Sequence, residues 1–310
     1  MPNDTRIPTY ADLVEEHGDP HEGAGNAHAA AAARHMRAQH HARMTAVIEG
    51  VERRGDAELN ATEQRAIDAH RSQITLLDSA AELYERARPS YPQQAVDWLL
   101  ESAPRRVLDL GAGTGKLTRL LAGRVDVMYA VDPSPNMLAQ LADAVPKAIT
   151  AVGAAEAIPL PDGSVDAVLV AQAWHWVDPA RALPAVRRVL APRGVLGLIW
   201  NVRDESVPWV AELTRIIHGS EAERFVANDQ PLPTELGPIE RLVVRWERPF
   251  DRQSLLELVG SRSYVISAPP DERAAIMRGV DDLLDNHPAL QDEANRRLPY
   301  RTEAFRIRLA

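Results

Sequence analysis

The sequence predicts an α/β protein built on a parallel sheet with helices on both faces, preceded by an N-terminal helical extension. Three observations carry this. Short runs rich in valine, leucine and isoleucine alternate with helical patterns from residue 79 onward. A glycine-rich turn joins the first of those runs directly to a helix. Residues 1–78 are polar and alanine-rich and lack the alternation. The chain has 310 residues, room for one large domain and an appendage at about 100–200 residues per domain. Hydrophobic residues at 45% and charged residues at 25% give enough apolar material for a full core.

In chain order, residues 1–27 are broken by Pro2, Pro8, Pro20, Gly18, Gly23 and Gly25, a composition typical of disordered chain. Met36, Met44, Ile48 and Val51 then fall near helical spacing on one face, until Gly50 and Gly55 interrupt them. Asn60 and Glu63 have the form of a capping box and open a second helix carrying Ile67, Ile74 and Leu77. The expected extension is therefore 1–78 and the expected domain 79–310. Helices are expected at Ala80–Arg86 and Gln93–Ser102. Strands follow at Arg106–Leu110, Val125–Val131, Ala148–Val152, Ala167–Ala171 and Gly194–Asn201, with helices starting near Gly115, Pro135 and Pro179 between them. A strand at Glu240–Trp246, helices at Arg252–Ser261 and Asp271–Asp285, and a strand near Tyr300–Leu309 complete the chain.

Composition also excludes classes of function. With no cysteine, disulfides, thiolate zinc sites, iron–sulfur clusters and cysteine nucleophiles are ruled out. A net charge of −9 argues against nucleic acid as a partner. The longest apolar runs, such as Val195–Trp200, are far short of the ~20 residues of a membrane span. The N-terminus has no apolar signal region, so a cytoplasmic protein is expected. Histidines at 17, 21, 28, 35, 40 and 41 follow no standard metal spacing, so no metal site is expected.

The most informative stretch is VLDLGAGTGKLT, residues 107–118. Gly111, Gly113 and Gly115 let the chain turn tightly and let a ligand approach the backbone closely. A phosphate-binding P-loop needs four residues between its glycines and a Ser or Thr after the lysine; here three separate Gly111 from Gly115, and Leu117 follows Lys116. A dinucleotide fingerprint needs its third glycine one residue later, and Asp109 would repel a pyrophosphate. A carboxylate there suits a ligand with a positive charge and an amino group. A bare glycine turn is the plainer reading, but it gives Asp109 no purpose. Asp132, 21 residues after Gly111 at the end of the next strand, can accept from both hydroxyls of an adenosine ribose. It can also cap the helix at Pro135.

VLDLGAGTGKLT (107–118), VDPSPNML (131–138) and GAAEAIPLPDGSVDAVLVAQAWHW (153–176) together resemble the class I S-adenosylmethionine-dependent methyltransferases. Within them the chain is most similar to the trans-aconitate-methyltransferase-like small-molecule group, which carries a YxxxRPxYP opening and an AQAxHW strand end. Here these run from Tyr84 through Arg88 to Pro92, and from Ala171 to Trp176. The resemblance spans about residues 79–310. It implies a Rossmann-like seven-stranded sheet, six strands parallel and the last antiparallel between the fifth and sixth, with S-adenosyl-L-methionine as cofactor. It further implies that Gly111, Gly113 and Gly115 wrap the methionine and ribose, Asp109 lies near the methionine amino group, and Asp132 binds the ribose hydroxyls. Pro133, Ala155 and Glu156 would meet adenine. Relatives often have an aspartate where this chain has Ala154, so Glu156, a carbonyl or packing must substitute.

The acceptor side follows the fourth strand, where an open parallel sheet has its crevice. Gln172 is a candidate donor to the acceptor or to the methionine carboxylate. His175 is the candidate general base, with a packing or pocket-shaping histidine as the alternative. Trp174 and Trp176 read as pocket wall. Arg88 is a candidate partner of the methionine carboxylate, or else a solvated residue in a proline turn. Arg203, Trp209, Arg262 and Tyr264 are candidate acceptor contacts in segments expected to cap the pocket, and an arginine-lined pocket favours a carboxylate. A small-molecule methyltransferase is the leading function. A non-catalytic cofactor-binding regulator or scaffold and an NAD-type oxidoreductase are the alternatives. The N-terminal helices are candidates for a homodimer contact.

Overall fold

The computed structural model describes residues 86–309, apart from 178, 219–222, 224, 227–231, 263–264 and 267. The helices expected within 28–78, all but the last residue of the one expected at 80–86, and Tyr264 lie outside the described residues. Seven strands form one sheet: β1 (Arg106–Leu110), β2 (Val127–Asp132), β3 (Ile149–Val152), β4 (Val165–Ala171), β5 (Leu190–Arg203), β6 (Ile239–Pro249) and β7 (Arg297–Arg308). Their order is β3-β2-β1-β4-β5-β7-β6. β1 to β5 pair in parallel, and β7 runs antiparallel to both of its neighbours. This is the Rossmann-like topology the resemblance implies, with the last strand inserted beside the fifth.

Helices α1 (Gln93–Leu99), α2 (Lys116–Leu121), α3 (Pro135–Ala144), α4 (Pro179–Val189), α5 (Pro208–Ile217), α6 (Arg252–Gly260) and α7 (Pro270–Asn286) connect or cap the strands. Their starts are written locally. Proline, whose missing N–H has no helical partner at that position, opens α3, α5 and α7. The Ser134 side chain accepts from the Met137 N–H ahead of α3, and Asp251 with Ser254 forms a reciprocal capping box ahead of α6.

The period of two in the strands explains the layers. Leu108, Leu110, Val168, Val170, Leu196 and Leu198 face one side and pack with Ala182, Val186 and Val189 of α4. Val107, Ala167, Leu169, Val195 and Ile199 face the other and pack with α1, α2 and α3. A third cluster joins α5, α6 and α7 to Leu298 and Tyr300 at the start of β7. Because β7 is antiparallel, Tyr300 pairs with Arg203. The three-helix cluster therefore adjoins the carboxyl end of β5.

Some boundaries differ from expectation for identifiable reasons. α1 stops at Leu99, and the chain turns through Ala103 at positive φ into Pro104, which cannot continue a helix. β5 starts at Leu190, paired with Val165; pairing then resumes at Ala167–Val195 after a bulge around the positive-φ Arg193. β6 and β7 are longer than expected, pairing from Ile239–Ile307 to Pro249–Arg297; most of the added residues, Glu247, Arg248, Pro249, Arg297 and Pro299, are charged or proline, which hydrophobic patterning does not register.

Candidate functional site

The glycine turn leaves β1 and enters α2 with Gly111, Gly113 and Gly115 all at positive φ (73°, 54° and 87°), a region that side-chain-bearing residues enter only with strain. A β-carbon on Gly111 would lie 2.7 Å from that of Ala173, and one on Gly115 would lie 2.8 Å from the Leu141 side chain. At Gly113 the nearest atom is the Met137 sulfur at 3.7 Å, an ordinary contact. The turn is tied to β2: the Gly111 and Ala112 N–H groups donate to the Val131 carbonyl. Gly113 N–H donates to Asp132 Oδ2 at 2.9 Å, and Ser134 N–H donates to Asp132 Oδ1 at 2.8 Å. Burial raises the Asp132 pKa, and those two N–H groups oppose the shift.

Asp109 is fully buried one residue before the end of β1. Its Oδ2 accepts from the Thr118 hydroxyl at 2.6 Å, while Oδ1 has no hydrogen-bond partner among the described residues. Burial pushes its pKa up to about 7; the Thr118 bond pulls the other way, and the Asp132 charge adds to the rise. Gln172 follows β4 in a left-handed conformation, φ 54°. Its side-chain amide donates to the Asn201 carbonyl at 2.9 Å, leaving Oε1 buried and without a partner among the described residues. The unpartnered atom of Gln172 is thus an acceptor, and its amide nitrogen keeps a second N–H beside the one given to Asn201. Asp109 and Gln172 both adjoin the glycine turn, the latter through its neighbour Ala173. Two buried acceptors without donors at one turn suit an ammonium.

Ala155 is buried, with Glu156 beside it in the turn closed by the Ala154–Ala157 bridge. Pro133 is exposed directly after Asp132.

His175 lies in a short 3-10 turn, Trp174–Trp176. Its Nδ1 accepts from Trp200 Nε1–H at 3.3 Å, so the neutral ring carries its hydrogen on Nε2. Burial lowers its pKa to about 4. In this arrangement the Nδ1 lone pair is engaged by Trp200 and burial favours the neutral ring. Around it, Trp200 stacks with Phe225 at 5.3 Å and meets Phe305 edge-on at 5.9 Å. Trp176 is half exposed and tilted against His175.

Two tryptophans are corrected from pocket to core. Trp174 is buried among the residues that pack on α4. Trp209 is buried in the three-helix cluster against Phe250, because α5 turns Trp209, Val210, Leu213 and Ile217 inward together. Arg88 is partly buried and donates from Nε to Ser261 Oγ at 3.1 Å, so it is not simply solvated. With Tyr91, Lys116, Trp246 and Arg248 it lines a cavity of about 410 Å³. Arg203 and Arg262 are buried and share Glu223. Thr118, Asn201, Trp200, Phe225 and Glu223 were not expected from the sequence. Thr118 and Asn201 lay in stretches already singled out, but Glu223 is 20 residues from Arg203 with no pattern linking them.

A glycine turn at the carboxyl edge of a parallel sheet, with a carboxylate on each of two adjacent strands, defines an α/β protein with a nucleoside-type cofactor site. Comparison with known proteins narrows this. Residues 108–198 match the family model described as "Methyltransferase domain". An uncharacterized methyltransferase of Mycobacterium tuberculosis is 52% identical over 232 residues, covering 75% of this chain and 95% of the relative. An uncharacterized methyltransferase-like protein of Schizosaccharomyces pombe is 35% identical over 232 residues, covering 72% of this chain and 91% of the relative. Among solved structures, a candidate type II methyltransferase from Anaeromyxobacter dehalogenans is 30% identical, with a TM-score of 0.50, covering 71% of this chain and 96% of that one. The chain belongs to the class I S-adenosylmethionine-dependent methyltransferases.

Proposed function

We propose that the chain transfers a methyl group from S-adenosyl-L-methionine to a small-molecule acceptor, as an enzyme of the trans-aconitate-methyltransferase-like group. The observation that carries the cofactor assignment is the pair of buried acceptors without donors, Asp109 Oδ1 and Gln172 Oε1, beside a turn of three positive-φ glycines. An amino-acid ammonium satisfies both acceptors, and its charge compensates that of Asp109. A carboxylate has about four acceptor sites; Asp132 uses two on backbone N–H groups, so two remain for ribose hydroxyls. Gly113 is the glycine with room at its α-carbon for a ligand. Pro133, Ala155 and Glu156 would hold adenine by packing and backbone contacts, and Arg88 would supply positive charge to the methionine carboxylate.

When bound, S-adenosyl-L-methionine supplies an electrophilic methyl group on a sulfonium. The chain's own residues bind, orient and exclude water. Trp200, Phe225 and Phe305 form an aromatic wall beside His175, and the His175 Nε2–H would orient an acceptor atom. Arg203 is the acceptor contact retained from the sequence reading. The catalytic unit is residues 79–310; residues 1–78 are an appendage and the candidate homodimer contact.

The test is incubation with labelled S-adenosyl-L-methionine and a panel of small carboxylic acids and phenols. Acceptor-dependent S-adenosylhomocysteine formation that is lost in Asp132→Ala supports the assignment. Cofactor binding with no transfer to any acceptor favours the non-catalytic reading.

A further inference from the structure

We propose that Asn201, with Thr302 and Trp246 behind it, is a positioning residue for the cofactor. It holds the Arg88–Tyr91 segment at a set distance from Gln172, and so fixes the separation between the groups assigned to the methionine carboxylate and the methionine ammonium. The inference rests on the proposed function and adds residues that act through others.

The hydrogen bonds run in one direction. Trp246 Nε1–H donates to Thr302 Oγ1 at 2.7 Å. An indole nitrogen only donates, so the Thr302 hydroxyl is free to send its own hydrogen on to Asn201 Oδ1, at 2.6 Å. That contact assigns the oxygen of the Asn201 amide and leaves its nitrogen to donate to the Ser90 carbonyl at 3.1 Å. The backbone carbonyl of Asn201 accepts from the Gln172 side-chain amide at 2.9 Å. One residue thus holds the segment carrying Arg88 by its side chain, and Gln172 by its main chain.

Packing alone does not call for these residues. Asn201 and Thr302 are 7% and 0% exposed and pair in register across β5 and β7. The next pair on the same face, Ile199–Ala304, is apolar and packs with Val244 and α1. An apolar pair would continue that face, whereas a buried polar pair costs desolvation unless it is hydrogen-bonded. Here the bonds lead out of the sheet to a segment containing Pro89 and Pro92, which have no N–H. Its carbonyls serve as anchors: Arg248 Nη1 donates to that of Ala87 at 2.5 Å, and Asn201 to that of Ser90. Ser90 and Trp246, at the two ends of the series, both line the cavity of about 410 Å³, which Lys116 borders directly after the glycine turn. Trp246 is itself held by stacking on Tyr300 at 4.9 Å. The ammonium and carboxylate of an α-amino acid share one carbon, so the groups that hold them tolerate little relative movement.

The test is calorimetry of the full chain with S-adenosylhomocysteine and with 5′-methylthioadenosine, which keeps the adenosine and the thioether but lacks the amino-acid end. Thr302→Val preserves shape and removes the hydroxyl. It is expected to weaken S-adenosylhomocysteine about tenfold, the size of one or two buried hydrogen bonds, and methylthioadenosine by less than about twofold. Thr302→Ser restores the hydroxyl and should return S-adenosylhomocysteine affinity to within about twofold of wild type. Asn201→Leu, which keeps the backbone carbonyl, and Trp246→Phe, which removes only the indole N–H at a half-buried position, should shift affinity in the same direction as Thr302→Val, and they decide where that variant does not fold. Equal losses for both ligands indicate a merely structural role and overturn the proposal, as does unaltered S-adenosylhomocysteine binding in a folded variant; either result leaves the cofactor reading standing. Wild-type protein that does not bind S-adenosylhomocysteine overturns both. If methylthioadenosine does not bind wild type, the rescue decides: a Thr302→Ser protein as weak as Thr302→Val overturns the proposal.

Discussion

Asp132 has two duties that a single substitution separates from each other only in part. It tethers the glycine turn through Gly113 N–H and holds the turn ahead of α3 through Ser134 N–H, and it is the proposed ribose acceptor. Asp132→Ala is expected to weaken S-adenosylhomocysteine binding by about 1–3 kcal/mol, the range for hydrogen bonds to a charged group; calorimetry measures it, and an unchanged affinity in a folded variant removes the assignment. Asp109 adds a pH dependence. Its folded pKa, raised to about 7, means that its contribution to the stability of the free protein is complete below about pH 4 and is lost as pH rises through 7. An ammonium beside it needs the ionised form. Cofactor affinity should therefore rise from pH 5 to about 7 and level off above, with proton release on binding, and Asp109→Asn should abolish the slope. Calorimetry across buffers of different ionisation enthalpy reads this; a flat wild-type profile contradicts it. Both aspartates stood out in the sequence because each lies at the end of a strand pattern at a telling distance from the glycines. The hydrogen bond from Trp200 to His175 was not, because the two residues lie 25 apart in sequence.

Within the glycine turn, two positions make different demands. A β-carbon at Gly115 collides with Leu141, whereas one at Gly113 makes only an ordinary contact with the Met137 sulfur. Gly115→Ala is therefore expected to destabilise the fold by about 1–3 kcal/mol through strain and overpacking. Gly113→Ala should lose only the 1–2 kcal/mol or so of its left-handed backbone and reduce cofactor affinity proportionally more. Denaturant titration and calorimetry on both variants separate the effects; equal losses of affinity would contradict the assigned roles. At this scale the sequence was most readable where period and local chemistry agree, as in β1, β4 and the proline-opened helices α3 and α4. It was least readable where apolar residues serve either core or pocket. Trp174 and Trp209 looked like pocket residues because aromatic side chains near strand ends suit both uses, and only the packing of α4 and of α5 on α7 decides. The β6–β7 pairing extends past its apolar runs because the added register is carried by backbone bonds between arginine- and proline-containing ends.

For the whole molecule, β7 is the strand on which the sheet depends. It pairs along β5 from Val195–Arg308 to Arg203–Tyr300 and along the full length of β6, and its Arg306 is buried against Glu101 and Glu240. A chain ending at Asn295 should unfold, since it opens two buried sheet edges at once; a soluble truncated protein that still binds cofactor would contradict the topology's energetic reading. Residues 79–310 contain every proposed cofactor contact, so a chain beginning at Ser79 is expected to fold and to keep cofactor affinity within about threefold, under 1 kcal/mol. Sedimentation and titration of both chains test that boundary. The seven-stranded order was legible through the resemblance, whereas the packing of the three-helix cluster beside β5 and the sharing of Glu223 by two arginines depend on contacts between distant segments. The most direct measurement is a calorimetric titration of the full chain at pH 7.5 with S-adenosylhomocysteine and, in parallel, with NADH. One equivalent of S-adenosylhomocysteine is expected to bind, with no heat from NADH; saturable NADH binding with none for S-adenosylhomocysteine would contradict the proposed role of Asp109, Asp132 and the glycine turn.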